Sequence, residues 1–156
     1  MVNVTEFVKH LQGMRDQGYL SDALMREAVK KLAASDDRFD WVGVYMYDEA
    51  KQDLWLHNYM GMASEHARIP VGQGVCGTAV AERANKNVPD VKAFPNYLAC
   101  SPSVKSELVV LIRAGDSIYG QIDIDSHKPA AFTSDDEQSL SLIADKLAEQ
   151  LAKERR

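Results

Sequence analysis

The sequence has few cysteines and no long apolar run. Cys76 and Cys100 are the only cysteines among 156 residues, too few for a disulfide-stabilised secreted domain. A chain of this length buries enough apolar surface to need no covalent crosslink. The longest apolar stretches, such as 108–112, fall far short of the roughly 20 residues that cross a bilayer. Because the N-terminus also lacks a signal-peptide apolar segment, we expect a cytoplasmic protein that does not bind a membrane.

Basic runs and metal-binding spacings are also missing. The net charge is −5, and no cluster of Lys and Arg is long enough to follow a phosphate backbone, so we expect no nucleic-acid partner. There is no Cys-x-x-Cys pair, and the four histidines do not have the spacing of a zinc site. The sequence therefore predicts no structural metal.

Helical periodicity is present at both ends of the chain. Apolar residues recur at helical spacing on each side of Gly18, which predicts two opening helices, with Ser21 capping the second. A last helix is predicted to begin at a capping box formed by Ser134 and Glu137. Its apolar stripe consists of Leu140, Ile143, Leu147 and Leu151.

The middle of the chain contains two pairs of strand patterns. The first pair is 40–47 with 54–59, and the second is 107–112 with 118–126, joined by a tight turn at 114–117. Between the pairs, a glycine-rich segment enters a helix that carries Cys76. A long connection with three prolines follows and contains Cys100.

This order predicts one α+β domain with an antiparallel sheet. We expect N-terminal helices in 1–35, the sheet and its loops in 36–126, and a C-terminal helix in 133–154. The terminal helices would pack on one sheet face. The other face would then line a ligand pocket covered by loops.

Two carboxylates occupy one face of the strand at 118–126. Asp123 and Asp125 alternate with isoleucines, and Glu107 begins the neighbouring strand. A solvated strand face is the simple explanation, but Asp is disfavoured in strands, which suggests a further reason. Like charges brought together raise the pKa of at least one carboxyl, leaving a protonated acid.

Trp41 and Tyr45 share one face of the strand at 40–47. Core packing explains this pattern, and so does a pocket wall for a small ligand that has an apolar methyl group and a cationic head. The sequence leaves both interpretations open.

The two cysteines differ in their expected surroundings. Cys100 lies in a loop, where its thiol would be accessible, although an inert buried thiol is the ordinary alternative. Cys76 lies near a helix N-terminus, which favours a thiolate, but nearby carboxylates would disfavour one. The sequence does not decide between these two influences.

Several short segments together resemble the free methionine-(R)-sulfoxide reductases in order and spacing, over roughly residues 38 to 145. The segments are 40–45, 74–79, 88–91, 94–95, 99–100, 106–110 and 122–126. The resemblance implies a GAF fold that acts on free methionine sulfoxide. It further implies the following site residues: Cys100 as catalytic cysteine, Cys76 as resolving cysteine, Glu107, Asp123 and Asp125 as an acidic pocket, and Trp41 and Tyr45 as an aromatic wall.

The chain departs from the family pattern at three places. His66 stands where the family commonly has a further cysteine. Asn96 and Tyr97 replace a Gly-His pair, and Ser101 replaces an Asp directly after the catalytic cysteine.

The resemblance predicts an enzyme without a cofactor. The Cys100 thiolate would attack the sulfoxide sulfur while a protonated carboxyl of the acidic cluster, Glu107 or Asp125, protonates the oxygen. Cys76 would then convert the resulting sulfenic acid to a disulfide, which an external dithiol such as thioredoxin would reduce. The remaining carboxylates, including Asp123, would hold the substrate ammonium group.

Two other functions stay open. One is a non-catalytic GAF sensor that binds a small metabolite or a cyclic nucleotide. Phe132 and Asp136 match part of the cyclic-nucleotide signature, but His127 and Lys128 stand where Asn-Lys is expected. The other is a module that forms homodimers through its terminal helices.

Overall fold

A six-stranded antiparallel sheet organises the computed structural model, which describes residues 2–99 and 101–155. The strands are β1 (Trp41–Asp48), β2 (Asp53–Met60), β3 (Arg68–Pro70), β4 (Lys86–Val88), β5 (Ser106–Ala114) and β6 (Ser117–Ser126). The helices are α1 (Val4–Asp16), α2 (Ser21–Ser35), α3 (Gly74–Glu82) and α4 (Ser134–Glu154). The strand order is β3-β2-β1-β6-β5-β4, so the two predicted hairpins meet along β1 and β6.

One face of the sheet carries the three long helices. Helix α4 packs on β5, α1 packs on α4, and α2 packs on β1 and β2. Every second residue of the central strands, such as Val44 and Ile122, joins Leu11, Leu24 and Ile143 in one apolar core. The predicted α+β class and the packing of the terminal helices on one face are confirmed.

The opposite face of the sheet is covered by α3 and by loops. The alternate residues of the same strands, including Trp41, Tyr45 and Val109, form a second core with residues of α3 such as Ala79. This is the face on which the sequence predicted a pocket. No helix in residues 2–99 and 101–155 is both long and apolar enough to cross a membrane.

The predicted helix caps need correction by one residue each. Ser21 is the first helical residue of α2, not its cap, and its hydroxyl donates a 2.6 Å hydrogen bond to Glu154 at the end of α4. The capping box of α4 is formed by Thr133 and Asp136, one residue before the predicted Ser134 and Glu137. Ser and Thr are both good caps, so a Thr-Ser pair does not show from sequence which residue has the extended backbone.

Gly43 on β1 is required by the position of the Trp41 ring. A Cβ added at Gly43 would lie 2.3 Å from Cη2 of Trp41, whereas a Cβ added at Gly13 in α1 would meet nothing within 4 Å. We expect Gly43→Ala to lower the free energy of unfolding by about 1–3 kcal/mol through overpacking. Gly13→Ala should raise it by about 0.5–1 kcal/mol, because alanine favours a helix interior. Urea unfolding measures both, and equal stability of the two variants would contradict the proposed contact.

Candidate functional site

The register of three strands brings the acidic residues together. Trp41 on β1 pairs with Asp125 on β6, and Asp125 pairs with Glu107 on β5. Asp123 lies two residues before Asp125 and therefore on the same face. Glu107, Asp123 and Asp125 are 5%, 2% and 2% exposed, which excludes a solvated strand face.

Cys76 lies on the first turn of α3, directly above this cluster. Its thiol donates a 3.8 Å hydrogen bond to Oε2 of Glu107. The backbone carbonyl of Cys76 accepts a 3.0 Å hydrogen bond from Nε2 of Gln121 on β6. These contacts fix the start of α3 against the acidic face of the sheet.

Burial controls the protonation of the two aspartates. It raises the pKa of Asp125 well above its ordinary value, and the charge of Asp123 adds to this, while a hydrogen bond with Glu107 opposes it. Burial also raises the pKa of Asp123, opposed by hydrogen bonds with Glu107 and Cys76. Oδ1 of each aspartate has no hydrogen-bond partner among the described residues. Both pKa shifts favour the protonated form of these aspartates, which is the direction that a proton donor needs.

The pKa of the Cys76 thiol is raised well above its ordinary value, first by burial and then by the charges of Asp123 and Glu107. The charge of Asp125 and a hydrogen bond with Asp123 raise it further. Cys76 is thus a protonated thiol at neutral pH, which answers the question that the sequence left open.

Trp41 and Tyr45 form one side of the pocket, with ring centroids 6.4 Å apart. The Trp41 ring also stacks on Tyr59 at 5.6 Å. Their polar tips donate to backbone carbonyls of the β2–β3 loop: Nε1 of Trp41 to Met62 at 3.0 Å, and the Tyr45 hydroxyl to His66 at 2.9 Å. The rings are therefore both core residues and cavity walls.

The predicted site residues line two neighbouring cavities. The larger, about 250 Å³, is bounded by Asp40, Trp41, Met62, Ser101, Val104, Asp125 and His127. The smaller, about 10 Å³, is lined by residues that include Tyr45, His66, Cys76, Leu98, Glu107 and Asp123. The predicted residues of the acidic cluster and the aromatic wall thus share one sheet face, as expected. The single cavity that we expected is divided into two: Trp41 and Asp125 line the larger one, and Tyr45, Glu107 and Asp123 line the smaller one.

Cys100, the predicted catalytic residue, lies outside the described residues. Its chain neighbours are described: Ser101 lines the larger cavity, and the Ala99 carbonyl lies 3.0 Å from Nε2 of His66. The contact of His66 with this loop was not anticipated from the sequence. Neither were Asp40, Met62 and His127, because residues brought in by loops have no periodic signal.

Comparisons with known proteins identify the family of this chain. The GAF domain family model matches residues 20–151. A curated relative, the free methionine-R-sulfoxide reductase of Escherichia coli, is 37% identical over 113 residues, which cover 72% of this chain and 67% of the relative.

Two solved structures are similar over most of the chain. One, described as a type II free methionine-R-sulfoxide reductase from Thermoplasma acidophilum, is 39% identical with a TM-score of 0.79, covering 85% of this chain and 93% of that one. The other is a free methionine-R-sulfoxide reductase from Neisseria meningitidis in complex with its substrate. It is 30% identical with a TM-score of 0.88 and covers 97% of this chain and 90% of that one.

The fold is thus that of a GAF domain. Within that class, the chain belongs to the family of the free methionine-R-sulfoxide reductases, which confirms the predicted fold, family and enzyme class.

The raised pKa of Asp125 predicts a pH-dependent stability. A carboxyl with a raised folded-state pKa binds its proton more tightly in the folded state, so stability falls as pH rises from the unfolded value of about 4 towards the folded one. Asp125→Asn removes this titration and should stabilise the protein at pH 7 by on the order of 1 kcal/mol, with the gain shrinking towards pH 4. Thermal unfolding at several pH values measures the gain in stability. Asp116→Asn, on the exposed β5–β6 turn, is the control variant. A gain in stability that does not depend on pH would contradict the raised pKa of Asp125.

Proposed function

We propose that this protein reduces free methionine-(R)-sulfoxide to methionine, with Cys100 as the nucleophile. The observation that carries the proposal is the buried Glu107, Asp123 and Asp125 cluster beside the Trp41 wall, in a chain that belongs to this reductase family. Such a cluster supplies a protonated acid in a place from which bulk water is largely excluded.

The larger cavity fits the two ends of the substrate. The Trp41 ring offers an apolar surface for the thioether methyl group, and the Asp40 carboxylate at the same cavity offers negative charge for the ammonium group. A methionine sulfoxide within a protein chain has an amide in place of that cation. The acidic lining therefore favours the free amino acid.

The chemical step needs one nucleophile and one acid. The Cys100 thiolate attacks the sulfoxide sulfur, and a protonated carboxyl of the cluster, Glu107 or Asp125, donates its proton to the oxygen. The sulfoxide sulfur gains two electrons and leaves as methionine, while Cys100 takes the oxygen as a sulfenic acid. Asp123 and the remaining carboxylate hold the substrate.

Cys76 is the proposed resolving thiol. Its attack on the Cys100 sulfenic acid would release water and form a disulfide, which an external dithiol of the thioredoxin kind then reduces. The raised pKa of Cys76 keeps its thiolate scarce. Resolution is therefore expected to be slower than it would be with an activated thiol.

A cyclic-nucleotide sensor gains no support from the site. Glu107, Asp123 and Asp125 line the two cavities, and an acidic cluster of this kind supplies no positive charge to bind a phosphate.

Substitution of the nucleophile and of the acids tests the reaction. Cys100→Ser should abolish methionine formation from the free R epimer. Glu107→Gln and Asp125→Asn should each lower kcat by about 100-fold or more, because the amide cannot donate an acidic proton. An assay with separated epimers and with an N-acetylated substrate measures turnover and selectivity. Activity in Cys100→Ser, or normal rates in both amide variants, would contradict the proposed roles.

Single-turnover kinetics test the resolving role. Cys76→Ser should still release one methionine per chain, because Cys100 acts first, but the sulfenic acid should accumulate and recycling by thioredoxin should fail. A dimedone-type probe detects the sulfenic acid by mass spectrometry. Normal cycling of Cys76→Ser with thioredoxin would mean that the external thiol reduces Cys100 directly.

A further inference from the structure

The small cavity beneath α3 gathers three different metal-ligand types. One ligand atom from each of Cys76, Glu107 and Asp123 lies within 4.8 Å of the other two, and all three residues are buried. The sequence predicted no metal site, because these residues are far apart in the chain and have no motif spacing. The sheet register and the first turn of α3 bring them together.

We propose that Cys76, Glu107 and Asp123 form a binding site for one divalent cation of the zinc class. A thiolate with two carboxylates is a ligand set that suits a borderline-soft ion and leaves a fourth position open for water. Alkaline-earth ions prefer oxygen ligands alone and more of them, so they fit this set poorly.

The geometry is close to that of a tetrahedral ion. Bonds of about 2.3 Å to sulfur and about 2.0 Å to oxygen place one sulfur and two oxygens on a tetrahedral ion roughly 3.3–3.5 Å apart. The Cys76 Sγ to Glu107 Oε2 distance is 3.8 Å. The widest pair, at no more than 4.8 Å, needs to close by only about 1 Å, which side-chain rotation supplies.

A second observation points to a ligand. Asp123 is 2% exposed and lines the small cavity, yet its Oδ1 has no hydrogen-bond partner among residues 2–99 and 101–155. An orphaned buried carboxylate oxygen is costly unless something binds it. The cavity, at about 10 Å³, is close to the size of one small sphere and so suits an ion better than an organic ligand.

Binding must displace protons. The Cys76 thiol carries a proton, held by burial and by its acidic neighbours, and the metal binds the thiolate. Each cation therefore releases at least this proton to solvent, so the affinity rises with pH. Once bound, the cation neutralises the charges that Glu107 and Asp123 bring into the core.

The cation also has a consequence for activity, and this consequence rests on the proposed function. An ion on Glu107 and Asp123 occupies two carboxylates of the acidic cluster and holds the Cys76 sulfur. The loaded protein has lost part of its acid and substrate-binding group together with its resolving thiol, so turnover should stop until a chelator removes the ion.

Cobalt(II) binding to reduced full-length Cys100→Ser tests the site directly, because Cys76 is then the only thiol. We expect one ion per chain, a thiolate-to-cobalt charge-transfer band, and competition by zinc. Zinc calorimetry in buffers of different ionisation enthalpy should show release of at least one proton per ion. Absence of the band would overturn the proposal.

Variants then assign the ligands. Asp123→Asn should weaken binding by about tenfold or more, and Cys76→Ser with Cys100→Ser should remove the band. Asp40→Asn is the matched control, because Asp40 lies 3.7 Å from His127 as a surface pair in the neighbouring cavity, and it should leave binding unchanged. Binding that survives Asp123→Asn and fails in Asp40→Asn would overturn the assignment.

Activity measurements on the unsubstituted protein test the inhibitory role of the cation separately from its binding. Zinc should inhibit turnover at the concentration at which it binds Cys100→Ser, and a chelator should restore it. Inhibition at a concentration that differs by more than about tenfold would overturn the inhibitory role, whereas the binding measurements do not depend on the enzyme being active.

Discussion

The pleat of β1 and β6 is the constraint on which the rest of the molecule depends. Their alternating side chains send Val44 and Ile122 into the helix-covered core and send Trp41 and Asp123 to the pocket face. A register slip of one residue would put the carboxylates of β6 under the helices and the isoleucines into the pocket. The helical core therefore fixes the face of the sheet on which the acidic cluster lies.

Burial of the acidic cluster is electrostatically unfavourable. Three carboxyls and a thiol share a space from which water is largely excluded, and burial raises the pKa of Asp123, Asp125 and Cys76 together. A group that resists ionisation at neutral pH is a poor contributor to stability and a good proton donor. The apolar packing of the helices offsets this unfavourable burial, so stability and chemistry reside on opposite faces of one sheet.

The two hairpins and the faces of their strands could be predicted from the sequence, because a period of two is a local signal, whereas the strand order and the short strands β3 and β4 could not. The sequence placed Glu107 on the strand next to Asp125, but the pairing of these two residues is a matter of register, which the alternation alone does not give. The division into two cavities could not be predicted, since it depends on Met62 and Leu98, which loops bring to the pocket. The protonation state of the Cys76 thiol could not be predicted either. A helix N-terminus and three carboxyls act on its pKa in opposite directions, and the balance depends on distances that the sequence does not give.

The hydrogen bonds at the tips of Trp41 and Tyr45 have a consequence for selectivity. The indole N–H and the phenol hydroxyl donate hydrogen bonds to the carbonyls of Met62 and His66. These two groups are therefore not available to donate to a ligand, and the rings contact it through apolar surface. An apolar pocket wall distinguishes ligands by size and tolerates isosteres. A wall whose hydrogen-bond donors need a partner strongly rejects an isostere that cannot supply one. Discrimination between a sulfoxide and a sulfone, or between two epimers, must therefore come from the acidic side of the pocket.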